Sequence, residues 1–191
     1  NNGVIKRSNI LEYLKKINQD DRKKLRKLGV KFGRYHVFLF KLFKPSTVSL
    51  RILLWKSYNK KFLDLSPPTF GLNFLNNKKS ANKDFMLLCG FEKFDDIYVR
   101  IDILERLFLL IFNSKKDEKE EVKVVPEMLN LLGCSKENFK KLLKKMDYKI
   151  FEKEKEFFIK YVPTKKKIFK KYDKKDYSNN PFGVLNQLNL K

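Results

Sequence analysis

The stretch that most constrains this chain is Val125 to Val162, VPEMLNLLGCSKENFKKLLKKMDYKIFEKEKEFFIKYV. Pro126 suits the first turn of a helix, where a missing N–H leaves nothing unpaired. Met128, Leu129 and Leu132 give that helix a short apolar face. Gly133 can end it, since glycine tolerates the left-handed conformation of a sharp exit. Ser135 is suited to cap a second helix. There Phe139, Leu142, Leu143 and Met146 recur at helical spacing and form one apolar stripe. Lys136, Lys140, Lys141, Lys144 and Lys145 cover the rest of its surface. Two apolar runs follow, Tyr148 to Phe151 and Phe157 to Val162, separated by charged residues. Helix, tight turn, basic helix and hairpin is the layout of a winged helix-turn-helix.

A plain helical hairpin with a solvated lysine face fits the same pattern. Two details weigh against a reader of DNA sequence. Leu129 stands one turn before Gly133, where two crossing helices favour a small residue. The middle of the second helix offers lysine rather than Arg, Gln or Asn, and lysine suits phosphate more than base edges.

Charge narrows the function classes. The chain has 191 residues, with 44 basic and 22 acidic, a formal net charge of +22. A lysine-rich codon bias would raise Glu as well, so a two-fold imbalance points to an anionic partner, nucleic acid or a membrane surface. No apolar run is long enough to span a bilayer, and the first residues lack a signal-peptide core. Cys89 and Cys134 are isolated thiols, which suits a reduced, cytoplasmic setting. Asn1 stands where an initiator Met would, so the chain reads as part of something longer.

Taken in order, Ser8 to Ile17 reads as a helix, and Asp20 caps a second through Leu28. Tyr35 to Phe43 is apolar and aromatic with an ambiguous period. Pro45 opens a helix with Leu50, Leu53, Leu54 and Trp55 as core candidates. Residues 60–83 hold Pro67, Pro68, Gly71 and an Asn/Lys run, and read as a loop. Phe85 to Gly90 is a short apolar segment, Tyr98 to Ile101 a strand, and Asp102 to Asn113 a strongly apolar helix. Residues 114–121 form a charged linker. The expected fold is therefore mainly α with a small β component. It comprises a helical subdomain at 1–60, a loop at 61–84, and a winged-helix-like subdomain at 85–162. A basic tail at 163–191 ends in a docking segment.

The tail carries the second basic element. Lys165, Lys166, Lys167, Lys170 and Lys171 are interleaved with Phe169 and Tyr172. So little apolar content predicts an unstructured arm. It can act as a polycation whose rings stack on unpaired bases, or as a tether for the last residues, in which Phe182, Val184, Leu185 and Leu188 recur at near-helical spacing.

Catalytic signals are absent. Gly71 to Ser80 imitates a phosphate-binding loop but has Asn76 in place of the second glycine. Asp117 to Glu120, DEKE, matches a DExx box by letters alone and lacks the strand that would place its Asp on magnesium. His36, the sole histidine, lies in an apolar run and reads as a half-buried structural residue. Two Cys and one His, far apart, do not make a zinc site. Asp95, Asp96, Asp102 and Glu105 are explained by helix capping and surface pairing. No cofactor, metal or catalytic residue is expected.

Three segments together carry a resemblance: Leu28 to Trp55 (LGVKFGRYHVFLFKLFKP and LRILLW), Val99 to Leu107 with the Pro126–Tyr148 block, and the terminal NPFGVLNQL. They resemble the C-terminal region of alphaproteobacterial helicase-like proteins related to the mitochondrial DExH-type RNA helicases of superfamily 2. There the terminal piece is of Ser-Pro-Phe-Ala type; here Asn180 and Gly183 flank Pro181 and Phe182. The resemblance covers most of the chain, but its anchors are not catalytic motifs. The family's ATPase motifs lie in preceding domains that have no counterpart here. It implies a nucleic-acid-binding, RNA-directed accessory region working with helicase motor domains in cis or in trans. A double-stranded DNA-binding regulator and a non-catalytic protein-docking module are the alternatives.

Overall fold

Three pairs of short strands set the architecture, each pair completed by a third strand from earlier in the chain. The computed structural model describes residues 3–60, 63–76, 82–114, 121–153 and 156–162. In the first unit, β1 (Val4–Lys6) is followed by a 3-10 turn, α1 (Leu11–Lys16) and α2 (Gln19–Lys27), then β2 (Val30–Phe32) and β3 (His36–Leu39). In the second, α3 (Pro45–Tyr58) precedes β4 (Phe74–Asn76), α4 (Lys83–Leu88), β5 (Phe91–Phe94) and β6 (Ile97–Arg100). In the third, α5 (Ile101–Asn113) precedes β7 (Val122–Lys123), α6 (Pro126–Leu132), α7 (Lys136–Lys145), β8 (Tyr148–Lys153) and β9 (Glu156–Tyr161). All three sheets are antiparallel with one strand order: β1-β3-β2, β4-β6-β5 and β7-β9-β8. In each, the last strand lies between the other two.

The fold is therefore mixed α/β, about 51% helix and 24% strand among the described residues, and not mainly α. The correction falls hardest on residues 1–60, read as a helical subdomain, which hold the β1-β3-β2 sheet. Its strands are three or four residues long, too short for alternation to stand out from the surrounding apolar run. The stretch read as a loop at 61–84 contributes β4, which pairs with β6. Phe85 to Gly90 belongs to α4 and its exit, and Asn82 caps that helix by accepting the Phe85 N–H at 2.9 Å. Asn18, rather than Asp20, caps α2, accepting the Asp21 N–H at 2.7 Å. On α3 the buried side is Val48 and Ile52, with Trp55 packed beside them. The expected core residues Leu50, Leu53 and Leu54 are 55%, 65% and 60% exposed. That helix is apolar on most sides, so hydrophobicity alone cannot choose its inward face.

Strand β6 explains how the units are joined. Successive side chains of a strand point to opposite faces. Ile97 and Val99 enter the large core formed with α5, α6, α7 and β9, while Tyr98 enters the core of α3, α4 and β5. Ile101, the next residue, packs with Val4 and Phe38 of the first unit. Five consecutive residues thus touch every apolar cluster, and all but Arg100 are buried. Helix α5 continues the same role, burying Ile103, Leu104, Leu107, Phe108 and Ile111.

Candidate nucleic-acid interface

Helix α7 presents its lysines because its other side is committed to the core. Ser135 Oγ accepts the Asn138 N–H at 3.3 Å and starts the helix. Gly133, at φ 65°, supplies the left-handed exit from α6. Phe139, Leu142, Leu143 and Met146 are buried, which turns the five lysines outward. Fully burying a leucine side chain contributes about 1.5–3 kcal/mol, so packing fixes which face is charged.

The five lysines are not equivalent. Lys145 is paired with Asp95, which occupies the β5–β6 turn at φ 49°. Lys140 Nζ lies 3.8 Å from the centroid of the Phe157 ring on β9, and Lys136 Nζ lies 6.0 Å from it. Lys141 and Lys144 are exposed and meet no carboxylate within ion-pair distance among the described residues. Beside this face a cleft of about 550 Å³ runs between α6, α7 and β9, lined by Asn130, Lys136, Lys140 and Phe157 among others. Lys123 at its rim is held by Glu156 at 2.5 Å. Phe157 was legible only as an apolar strand residue. Its place under two lysines depends on the β8–β9 register, which sequence spacing does not give. Lys165, Lys166, Lys167, Phe169, Lys170, Lys171 and Tyr172 lie outside the described residues, as do the DEKE run and the terminal docking segment.

A second polar constellation is buried where the three units meet. Glu105 of α5 accepts the backbone N–H groups of Arg34, Tyr35 and His36 at 2.6, 3.0 and 2.8 Å. The carboxylate comes this close because residue 33 is glycine: a Cβ there would stand 2.8 Å from Glu105 Cγ and closer still to its carboxyl group. His36 Nδ1 lies 3.2 Å from Glu105, and Nε2 lies 3.3 Å from Glu92 on β5. Lys6 Nζ reaches Glu92 at 2.6 Å. With a carboxylate facing each ring nitrogen, the doubly protonated imidazolium satisfies both contacts. Burial alone would lower the His36 pKa, but the hydrogen bonds and charges of Glu105 and Glu92 outweigh it and raise it. Burial likewise opposes ionisation of Glu92, and His36 and Lys6 reverse that and lower its pKa.

This constellation ties β1, β3, β5 and α5 together. Asp102, also within α5, is held by the Arg100 guanidinium at 2.7 and 2.9 Å. Burial pushes the Cys89 thiol up to about 12 and the Cys134 thiol up to about 11, so neither is a thiolate at neutral pH. Among the described residues no group of His, Cys, Asp and Glu could hold a metal ion. Among them, too, no helix is long and apolar enough to cross a membrane. No family model, curated protein or solved structure matches the chain.

Proposed function

We propose that this chain is a nucleic-acid-binding accessory region that grips RNA or another unpaired strand beside an ATP-driven helicase motor in the cytoplasm. The observation that carries the reading is the α7 face: exposed Lys141 and Lys144, with Lys136 and Lys140 flanking a ring at the edge of an open cleft. Lysines without carboxylate partners neutralise phosphate, and a ring among them offers a surface for a base. The order α5-β7-α6-α7-β8-β9 supports it, since it follows the path of a winged helix-turn-helix with α7 in the recognition position. So do the net charge of +22 and the resemblance of the three sequence segments to helicase C-terminal regions.

The substrate class is tested by titrating the protein against single-stranded RNA, single-stranded DNA and duplex DNA of equal length at one salt concentration. The reading expects tightest binding to single-stranded RNA. Preference for duplex DNA would move the chain to the DNA-regulator class. A second reading, docking of a protein partner, draws on exposed Leu50, Leu53 and Leu54 of α3. Failure to bind any of the three nucleic acids would favour it.

A further inference from the structure

Arginine is scarce in this chain, seven residues against 37 lysines. Four of the seven, Arg7, Arg26, Arg34 and Arg106, line a single cleft of about 730 Å³ between α2, the β2–β3 hairpin and α5. The carboxylates of that cleft are already engaged. Asp102 is held by Arg100, and Glu105 by the backbone of residues 34–36. Arg26 and Arg106 are exposed and have no carboxylate within ion-pair distance among the described residues. Arg7 donates to the Gly33 carbonyl at 2.8 Å, which directs its guanidinium to the hairpin. The cleft therefore has an excess of positive charge that the described residues do not neutralise.

Its walls are aromatic. The Arg26 guanidinium lies 5.9 Å from the Phe32 ring centroid, and Phe112 on α5 is 59% exposed. Planar guanidinium groups bind phosphate oxygens through two parallel N–H bonds, which a lysine cannot do. Rings beside them, exposed Phe112 and half-buried Phe32, can accept the face of a base. The volume lies in the range of pockets that enclose a small organic group. We infer that this cleft binds one nucleotide of an unpaired strand, its phosphate on Arg26 and Arg106 and its base against Phe112 or Phe32. A duplex fits poorly, because its bases are stacked on one another and cannot enter a concave site. The inference rests on the reading of the chain as a nucleic-acid binder and adds to it a second contact point, made from different elements than α7.

The test uses the full chain and two fluorescent probes of equal length, an oligouridine RNA and an abasic ribose-phosphate strand. Arg26→Ala with Arg106→Ala should weaken both probes and flatten the slope of log affinity against log salt by about 0.7, for the one phosphate the two guanidinium groups share on a single strand. Phe112→Ala should weaken oligouridine by about 5- to 100-fold and leave the abasic strand unchanged. All three side chains are exposed, so an unchanged melting temperature is expected and confirms that the variants are folded. If these variants bind oligouridine as the wild type does while an α7 lysine variant loses it, the cleft assignment fails and the nucleic-acid reading stands. If a polyglutamate peptide of equal charge competes as well as oligouridine, the cleft is an acidic-peptide site and the nucleotide assignment fails. Failure of the wild type to bind any strand would remove the underlying reading itself.

Discussion

The first and third sheets share one strand order, each with two α-helices between its first and second strands, and are held by different forces. Among the described residues, the third closes over sixteen buried apolar residues drawn from β6, α5, β7, α6, α7 and its C-cap Met146, β8 and β9. The first closes over Val4 and Phe38 with Ile101 of α5, and its hairpin is fastened by a buried carboxylate and the His36–Glu92 contact. A strand order can thus be stabilised by apolar packing or by a polar clasp. The second kind is directional and titratable, while the first is neither.

The largest expected effect is on the clasp. Glu105→Ala leaves three inward-facing N–H groups and the Nδ1 side of His36 without their acceptor, and should cost about 3–5 kcal/mol, read from urea midpoints. Leu142→Ala in the third core should cost about 2–5 kcal/mol. Hydrogen exchange separates the two: Glu105→Ala should deprotect β3 amides first and α7 amides last, and Leu142→Ala the reverse. The same deprotection order in both variants would show one cooperative unit and end the distinction.

The pH dependence sharpens it further. The folded pKa of His36 is raised above the ordinary 6.5, so its stabilisation is fully present below that pH and is lost as pH rises through the folded value. The folded pKa of Glu92 is lowered below 4.5, so its contribution is present above that pH and is lost as pH falls through the folded value. Between pH 4.5 and 6.5 both contribute. Melting temperatures measured across pH should show an alkaline decline in the wild type that His36→Gln abolishes. A parallel decline in both proteins would assign it to other groups.

What was readable in the sequence follows the same divide. The α6–turn–α7–hairpin path was readable because each step has a local signal: Pro126, Gly133, Ser135 and a stripe of four apolar residues. The first sheet was not, because three short strands separated by helices leave no periodicity and pair through contacts distant in sequence. Glu105 looked like a surface residue of α5. Only the close approach of Gly33, some seventy positions earlier in the chain, makes it a buried acceptor. Leu50, Leu53 and Leu54 misled for the opposite reason: they are apolar by composition and outward by geometry. On α7, five lysines looked alike, and the structure separates Lys145, held by Asp95, from Lys141 and Lys144.

The smallest expected effect is on that surface. Lys141→Ala should change stability by no more than about 0.5 kcal/mol in either direction, since the side chain is exposed and unpaired among the described residues. A larger loss, read from the same urea midpoints, would place this lysine in the packing of the third unit.

The central claim is that the outward lysines of α7 contact phosphate, and the salt dependence of RNA binding tests it most directly. If about five phosphates of a single strand are neutralised, log affinity against log salt should fall with a slope near −3.5. Replacing Lys136, Lys141 and Lys144 together by Ala should flatten that slope by about two units and leave sequence preference as it was. A triple variant with unchanged slope and unchanged affinity for single-stranded RNA would contradict the account and leave α7 as a solvated face.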